Sequence, residues 1–129
     1  MANTNFDAVV ATTLTGNLVG TTIGGQQDTV TVLTGDGAVA VAPGSTHLTK
    51  GSAAAITIAA PTASTHDGYI VRITSETAFA HVITQGTVGF NGKGASGTIT
   101  FADSKGSSVT LEARNGNWWV ISNIGGTVA

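Results

Sequence analysis

Apolar and polar residues alternate in short runs along most of the chain beyond residue 27. Asp28–Leu33 reads DTVTVL, in which Val30 and Val32 alternate with Thr. Tyr69–Thr74 reads YIVRIT, which places Ile70 and Arg72 on one face and Val71 and Ile73 on the other. A period of two indicates β-strands that turn one face toward a core, and Thr, Val and Ile favour that conformation. The predicted strands are Asp28–Leu33, Ala38–Ala42, Thr46–Thr49, Ala54–Ala60, Tyr69–Thr74, Phe79–Thr84, Thr98–Ala102, Ser108–Ala113 and Trp118–Ser122.

Turn signals separate these runs. Asn115-Gly116 predicts a type I′ hairpin turn, because Asn and Gly accept the positive φ that this turn requires. Gly35-Asp36-Gly37 and Pro43-Gly44 end two earlier strands, and Gly86–Gly97 is long and glycine-rich enough to be a loop. Short strands at regular spacing predict an all-β fold, a compact antiparallel β-barrel or sandwich.

Residues 1–27 differ from the rest of the chain. They carry one charge, Asp7, and their apolar residues are too sparse to close a core, so we expect an extended N-terminal arm before a β-domain of residues 28–129. Such an arm becomes ordered on a neighbouring subunit or another protein; a frayed terminus is the alternative. Leu14-Thr15-Gly16 echoes Leu33-Thr34-Gly35, but three residues are too few to define a repeat. The expected contact residues of the arm are Phe6, Val9, Val10, Leu14, Leu18 and Val19.

The composition narrows the classes of function. Only 9% of the 129 residues are charged, against about 25% in an average soluble domain, and the net charge is -2. Five Lys and Arg residues are too few for a phosphate-binding surface, so we expect no nucleic-acid partner. No apolar stretch is long enough for a membrane helix, no secretory signal is visible at Met1–Phe6, and there is no cysteine. We therefore expect a structural or binding protein without a membrane partner.

The low charge also bears on assembly. Free monomers stay soluble partly through surface charge, and this chain combines little charge with a mean hydropathy of +0.26. We expect much of its surface to be covered by copies of itself or by a larger partner. A Thr-rich monomer kept soluble by its hydroxyl groups is the alternative.

No catalytic or metal-binding constellation stands out. The three histidines, His47, His66 and His81, match no metal motif, and His66-Asp67 is expected to be a polar loop before a strand. His81 lies in an apolar strand and is expected to be a core-edge or intersubunit histidine satisfied by a hydrogen bond. No GxSxG motif is present, and Ser104 fits an ordinary turn. We predict no enzymatic activity, no cofactor, no metal and no catalytic residue.

Trp118-Trp119 is the most informative pair. Adjacent strand residues point to opposite faces, so one indole should enter the core and the other should face outward. An exposed Trp with Tyr69 or Phe90 nearby would form an aromatic platform for a sugar ring. Burial in a subunit interface is the favoured alternative, with Trp119 as the interface residue.

Five motifs in order give the chain a resemblance to a known class. They are Leu48–Ala54 (LTKGSAA), Ala60–Ala63 (APTA), Asp67-Gly68, Gly89–Gly92 (GFNG) and Asn115–Trp118 (NGNW). Together they resemble a segment found in virion proteins of tailed bacteriophages, over about residues 36–122. The N-terminal TTLTGNLVG is similar to the Thr-, Gly- and Asn-rich leaders of phage structural proteins.

The resemblance implies a homotrimeric β-structured virion protein without catalysis. Because the chain is too short for a separate fibre shaft, the resemblance favours a capsid decoration (cement) protein over a complete tail fibre. Such a protein would be made in the host cytoplasm and placed on the capsid exterior. Its partners would be its own copies and the major capsid protein, with the arm gripping the capsid or neighbouring subunits. The alternative is a small phage fibre or tail tip, or a glycan-binding module with an exposed aromatic platform.

Overall fold

The computed structural model describes residues 28–129, and in this range the chain folds into strands. No helix in this range is long and apolar enough to cross a membrane. The ten strands are β1 (Thr29–Leu33), β2 (Gly37–Val39), β3 (Gly44–Leu48), β4 (Ala55–Ile58), β5 (Ile70–Ser75), β6 (Val82–Gln85), β7 (Gly97–Phe101), β8 (Ser108–Arg114), β9 (Asn117–Ile124) and β10 (Gly126–Val128).

The strands form two five-stranded sheets. The first sheet has the order β1-β3-β5-β8-β9 and the second has the order β10-β7-β6-β4-β2. Both sheets run from one edge strand to another without closing, so the predicted all-β class is confirmed and, of the two predicted forms, the structure is sandwich-like rather than a barrel. The all-β class follows from the β-branched composition and the period-two pattern.

The direction of pairing differs between the two halves of the chain. From β1 to β6 the chain alternates between the sheets, so that β1, β3 and β5 pair in parallel, as do β2, β4 and β6. From β7 onward every pairing between two strands is antiparallel. The prediction of an antiparallel fold was therefore wrong for residues 29–85. Parallel neighbours normally need a long crossover, but here a strand of the opposite sheet serves as the crossover.

A single core lies between the sheets. Along β3, β7 and β8, alternate residues are buried, and Val71 and Ile73 of β5 point inward while Arg72 points outward, as the sequence predicts. The buried apolar residues are Val39, Leu48, Ala54, Ile56, Ile58, Val71, Ile73, Ile83, Phe90, Ile99, Phe101, Val109, Leu111, Ala113 and Trp118. Burial of these side chains supplies the main driving force for folding.

Each predicted strand overlaps an observed strand, with shifted ends. Asn115 and Gly116 adopt φ of 49° and 75°, and this confirms the predicted turn between β8 and β9. β2 stops at Val39, three residues before the predicted end. β10 was not predicted, because Gly126–Val128 offers only three residues and pairs with β7 from a distant part of the chain.

Candidate interaction surfaces

Trp118 and Trp119 lie on opposite faces of β9, as predicted. Trp118 is fully buried opposite Ala113, and its Nε1–H donates to the carbonyl oxygen of Ala59 at 2.8 Å. Trp119 pairs with Glu112 on the outer face of the first sheet, and 43% of its surface is exposed. The outward Trp is thus free, within the described chain, to meet a partner.

The loop between β6 and β7 lies beside the Trp119 ring and is hydrogen-bonded to the backbone on both sides of this residue. The Asn91 N–H donates to the Trp118 carbonyl at 2.9 Å, and the Asn91 Oδ1 accepts from the Val120 N–H at 2.9 Å. A Cβ on Gly92 would stand 3.3 Å from Cη2 of Trp119, so the indole passes close to the backbone at a glycine. The base of this loop is fastened by Gln85, whose Oε1 accepts three consecutive backbone N–H groups. The loop therefore helps to fix the position of the Trp119 indole on the surface.

A shallow depression of about 290 Å³ lies beside this ring. Its lining consists of Trp119, Glu112 and Arg114. An indole face offers apolar contact, and the neighbouring carboxylate and guanidinium offer an acceptor and donors of hydrogen bonds. This combination suits a flat polar-apolar partner such as a sugar ring or a protein side chain.

The edges of the first sheet expose further apolar side chains. On β9, Ile121 is 54% and Ile124 is 61% exposed. On β1, Val30 and Val32 share the outer face with Ser45 and His47 of β3, and they are 64% and 55% exposed. Apolar side chains thus cluster at both edges of this face, as they do on surfaces that partners cover.

Polar contacts occupy the strands between these edges. Arg72 donates to Asp28 at 2.9 Å, and His47 pairs with Glu76 at 2.7 Å. All four side chains are at least partly exposed, so these pairs contribute little stability. The face is therefore polar in its middle and apolar at its rims.

The candidate histidines take structural positions. The His66 Nδ1 accepts the Thr62 N–H at 2.8 Å and the Asp67 carboxylate accepts the Asn115 N–H at 2.7 Å, so both shape their own loops. His81 is fully buried, its Nδ1 accepts the Ala54 N–H at 3.0 Å, and its Nε2 lies 2.9 Å from the Thr77 hydroxyl. Burial, with a smaller effect of Lys50, lowers the pKa of His81. The hydrogen bond expected for His81 is confirmed, and of the two expected positions the structure places this residue in the core.

The aromatic platform has fewer exposed rings than the sequence analysis proposed. Phe90 and Trp118 are buried and cannot stack on a ligand, while Tyr69 packs against the core and lies 5.2 Å from the His66 ring. Only Trp119 of the proposed set stays exposed at the depression. Among residues 28–129, no group of three or more His, Asp or Glu residues is placed to hold a metal ion.

Several features of this surface could not be predicted from the sequence. The two-residue spacing of Glu112 and Arg114 places them on one strand face, with pairing to each other or across subunits as the expectation, but it does not relate them to Trp119. The exposed β1 valines are not predicted as contacts by the sequence. Ile121 falls at a register shift between β8 and β9, which alternation alone does not reveal. The six arm residues from Phe6 to Val19 lie outside the described residues.

Comparison with known proteins adds no relative. No family model, no curated protein and no solved structure matches the chain.

Proposed function

We propose that this protein is a structural virion protein that decorates and stabilises a phage capsid as a homo-oligomer, with the trimer as the expected form. The observation that carries the proposal is the outer face of the first sheet. It exposes Val30 and Val32 at one edge and Trp119, Ile121 and Ile124 at the other, in a chain with only 9% charged residues. Such rims are the kind of surface that copies or a larger partner cover.

The mechanism is mechanical. Copies associate through the β9 side of the sandwich, with Trp119 as the interface residue, and the arms of residues 1–27 grip the major capsid protein or neighbouring subunits. Several weak contacts then add through multivalency, since each bound arm raises the effective concentration of the next. A protein that binds only the assembled shell stabilises that shell by mass action. The site is the exterior of the virion, after synthesis in the host cytoplasm.

Two measurements test the proposal. Sedimentation of the full chain is expected to show a trimer, and Trp119→Ser is expected to weaken it, whereas Phe79→Ser, another exposed aromatic, leaves it intact. Removal of residues 1–27 is expected to abolish binding to phage shells that lack their decoration protein, while circular dichroism still shows the β-domain. Unchanged shell binding by the shortened chain contradicts the role of the arm.

The depression beside Trp119 supports a second candidate function, a glycan-binding module or small fibre tip. Trp119, Glu112 and Arg114 provide a stacking surface and hydrogen-bonding groups within one depression. A glycan array probed with the full chain and with Trp119→Ser separates the two functions. Binding that the substitution removes favours the module, and signals at background level reject it.

A further inference from the structure

The β1 end of the sandwich lacks a cover within the described chain. Thr29 and Thr31 face inward, in register with Gly44 and Thr46 of β3, yet both are exposed. They border an open cavity of about 70 Å³ that Val39 and Val71 also line. Among the strands of residues 28–129, β1 pairs with β3 alone and forms the edge of its sheet. An edge of this kind presents unpaired backbone groups on which another strand can form.

The register of β1 on β3 reveals a repeat that the sequence alone does not establish. Thr31 pairs with Thr46 and Leu33 with Leu48, so Thr31-Val32-Leu33-Thr34 stands beside Thr46-His47-Leu48-Thr49. Both segments therefore have the pattern Thr-x-Leu-Thr, followed by a glycine within two residues. The same pattern occurs once more, in Thr12-Thr13-Leu14-Thr15-Gly16.

We propose that the free edge of β1 is the docking site for residues 10–16 of the same chain, which add one further parallel strand with Leu14 beside Leu33 and Thr12 beside Thr31. In this register the inward positions are Val10, Thr12 and Leu14, and they cover the exposed Thr29 and Thr31. The outward positions are Ala11 and Thr13. The alternation matches the inward and outward faces of β1 and β3.

The number of residues between the proposed strand and β1 favours a strand that comes from the same molecule. Fifteen residues separate Leu33 from its partner Leu48, nineteen separate Val39 from Ile58, and twenty-seven separate Leu48 from Ser75. Leu14 precedes Leu33 by nineteen, which falls within this range. A segment tethered this closely has an effective concentration on the order of millimolar, which favours it over the same segment of a second copy.

The inference changes how the arm would act but does not depend on a capsid. Val10 and Leu14 would be used within the chain's own fold, and contact with a shell would pass to Phe6, Val9, Leu18 and Val19. Failure of shell binding leaves this inference untouched. Absence of the docked strand likewise leaves shell binding to be measured separately.

A disulfide test uses the absence of cysteine from the chain. In the proposed register Thr13 stands beside Val32, and neighbouring strands about 4.8 Å apart permit a disulfide. The full chain with Thr13→Cys and Val32→Cys is expected to form an intramolecular disulfide on mild oxidation. The matched control pairs Thr13→Cys with Thr74→Cys, on the same row of the sheet two strands further on and about 14 Å away.

The outcomes of this test are distinct. A disulfide within one chain in the first variant, and none in the control, supports the proposal. Equal oxidation of both variants, or of neither, overturns it. Disulfide-linked dimers that depend on protein concentration overturn the assignment to the same chain.

Hydrogen exchange provides a second measurement that needs no new bond. Leu14→Asp places a charge at an inward position, whereas Thr13→Asp places the same charge at an outward one. Leu14→Asp is expected to speed amide exchange in residues 29–33 by at least about tenfold, the size expected when burial of a Leu side chain is lost. Thr13→Asp is expected to leave it unchanged. Equal effects of the two substitutions overturn the proposal.

Discussion

The two ends of the sandwich, at β9 and at β1, differ in how the core is covered. At the β9 end, the fully buried Trp118 fills the core and donates to Ala59, and the C-terminal residue Ala129 exchanges two backbone hydrogen bonds with Thr98. At the β1 end, residues 28–32 are all exposed, and the inward positions are occupied by Thr29 and Thr31. Within residues 28–129, a large buried side chain and a returning strand therefore cover the core at the β9 end, whereas exposed threonines border it at the β1 end.

The largest expected effect concerns the β9 end. Trp118→Ala removes a fully buried indole and its hydrogen bond, so we expect it to lower the free energy of unfolding by about 3–5 kcal/mol. In the dissociated subunit, Trp119→Ala, one residue along and 43% exposed, should change it by no more than about 0.5 kcal/mol. Urea denaturation at a protein concentration low enough to dissociate the oligomer measures both. Similar losses of unfolding free energy in the two variants would mean that Trp118 is not the main side chain that stabilises the β9 end.

The next effect concerns the contact between β1 and β3. Gly44 has φ of 151°, and a Cβ there would collide with the carbonyl oxygen of Thr29. Gly44→Ala is expected to cost about 1–3 kcal/mol through strain and displacement of β1. Gly51→Ala, where a Cβ meets no atom within 4 Å, is the matched control. Equal stability of the two variants would show that β1 contributes little to this end.

A smaller effect on stability depends on pH and arises from His81, which lies in the core between the two ends of the sandwich. His81 accepts the Ala54 N–H and lies buried, and burial lowers its pKa below the ordinary 6.5. The unfolded chain then binds more protons, so stability should be highest above pH 6.5 and should fall as the pH drops toward the lowered pKa. Chemical denaturation across pH 5–8 measures this slope. His81→Gln should flatten the slope, and an unchanged slope would assign the pH dependence to another group.

The smallest effect belongs to the polar contacts at the β1 end. Asp36 accepts from Lys50 Nζ at 2.7 Å and from the Ala55 N–H at 2.8 Å, and the Lys50 hydrogen bond is the main cause of its lowered pKa. This contribution is present above pH 3.8 and is lost as the pH falls through the lowered pKa. Asp36→Asn retains an acceptor, so we expect only a small, salt-sensitive shift of the urea midpoint. A loss as large as that of Gly44→Ala would contradict the comparison.

Local patterns in the sequence determined much of this molecule. Alternation in Tyr69–Thr74 predicts the two faces of β5, with Val71 and Ile73 together on one of them, because successive strand residues point to opposite faces. The same alternation in Asp28–Leu33 does not predict that Val30 and Val32 face outward. Asn115-Gly116 predicts its turn through backbone freedom alone, and Trp118-Trp119 predicts one buried and one outward indole. Each of these features depends on residues within a few positions of one another.

Only the tertiary structure decided which strands become neighbours. The parallel pairing of β1 with β3, the short β10 on β7, and the placement of Glu112 and Arg114 beside Trp119 join segments that no local pattern relates. The Thr-x-Leu-Thr pattern became meaningful only when the register placed Thr31 beside Thr46. The physical reason is that strand propensity and alternation are local, whereas the choice of partner depends on how all inward faces share one core.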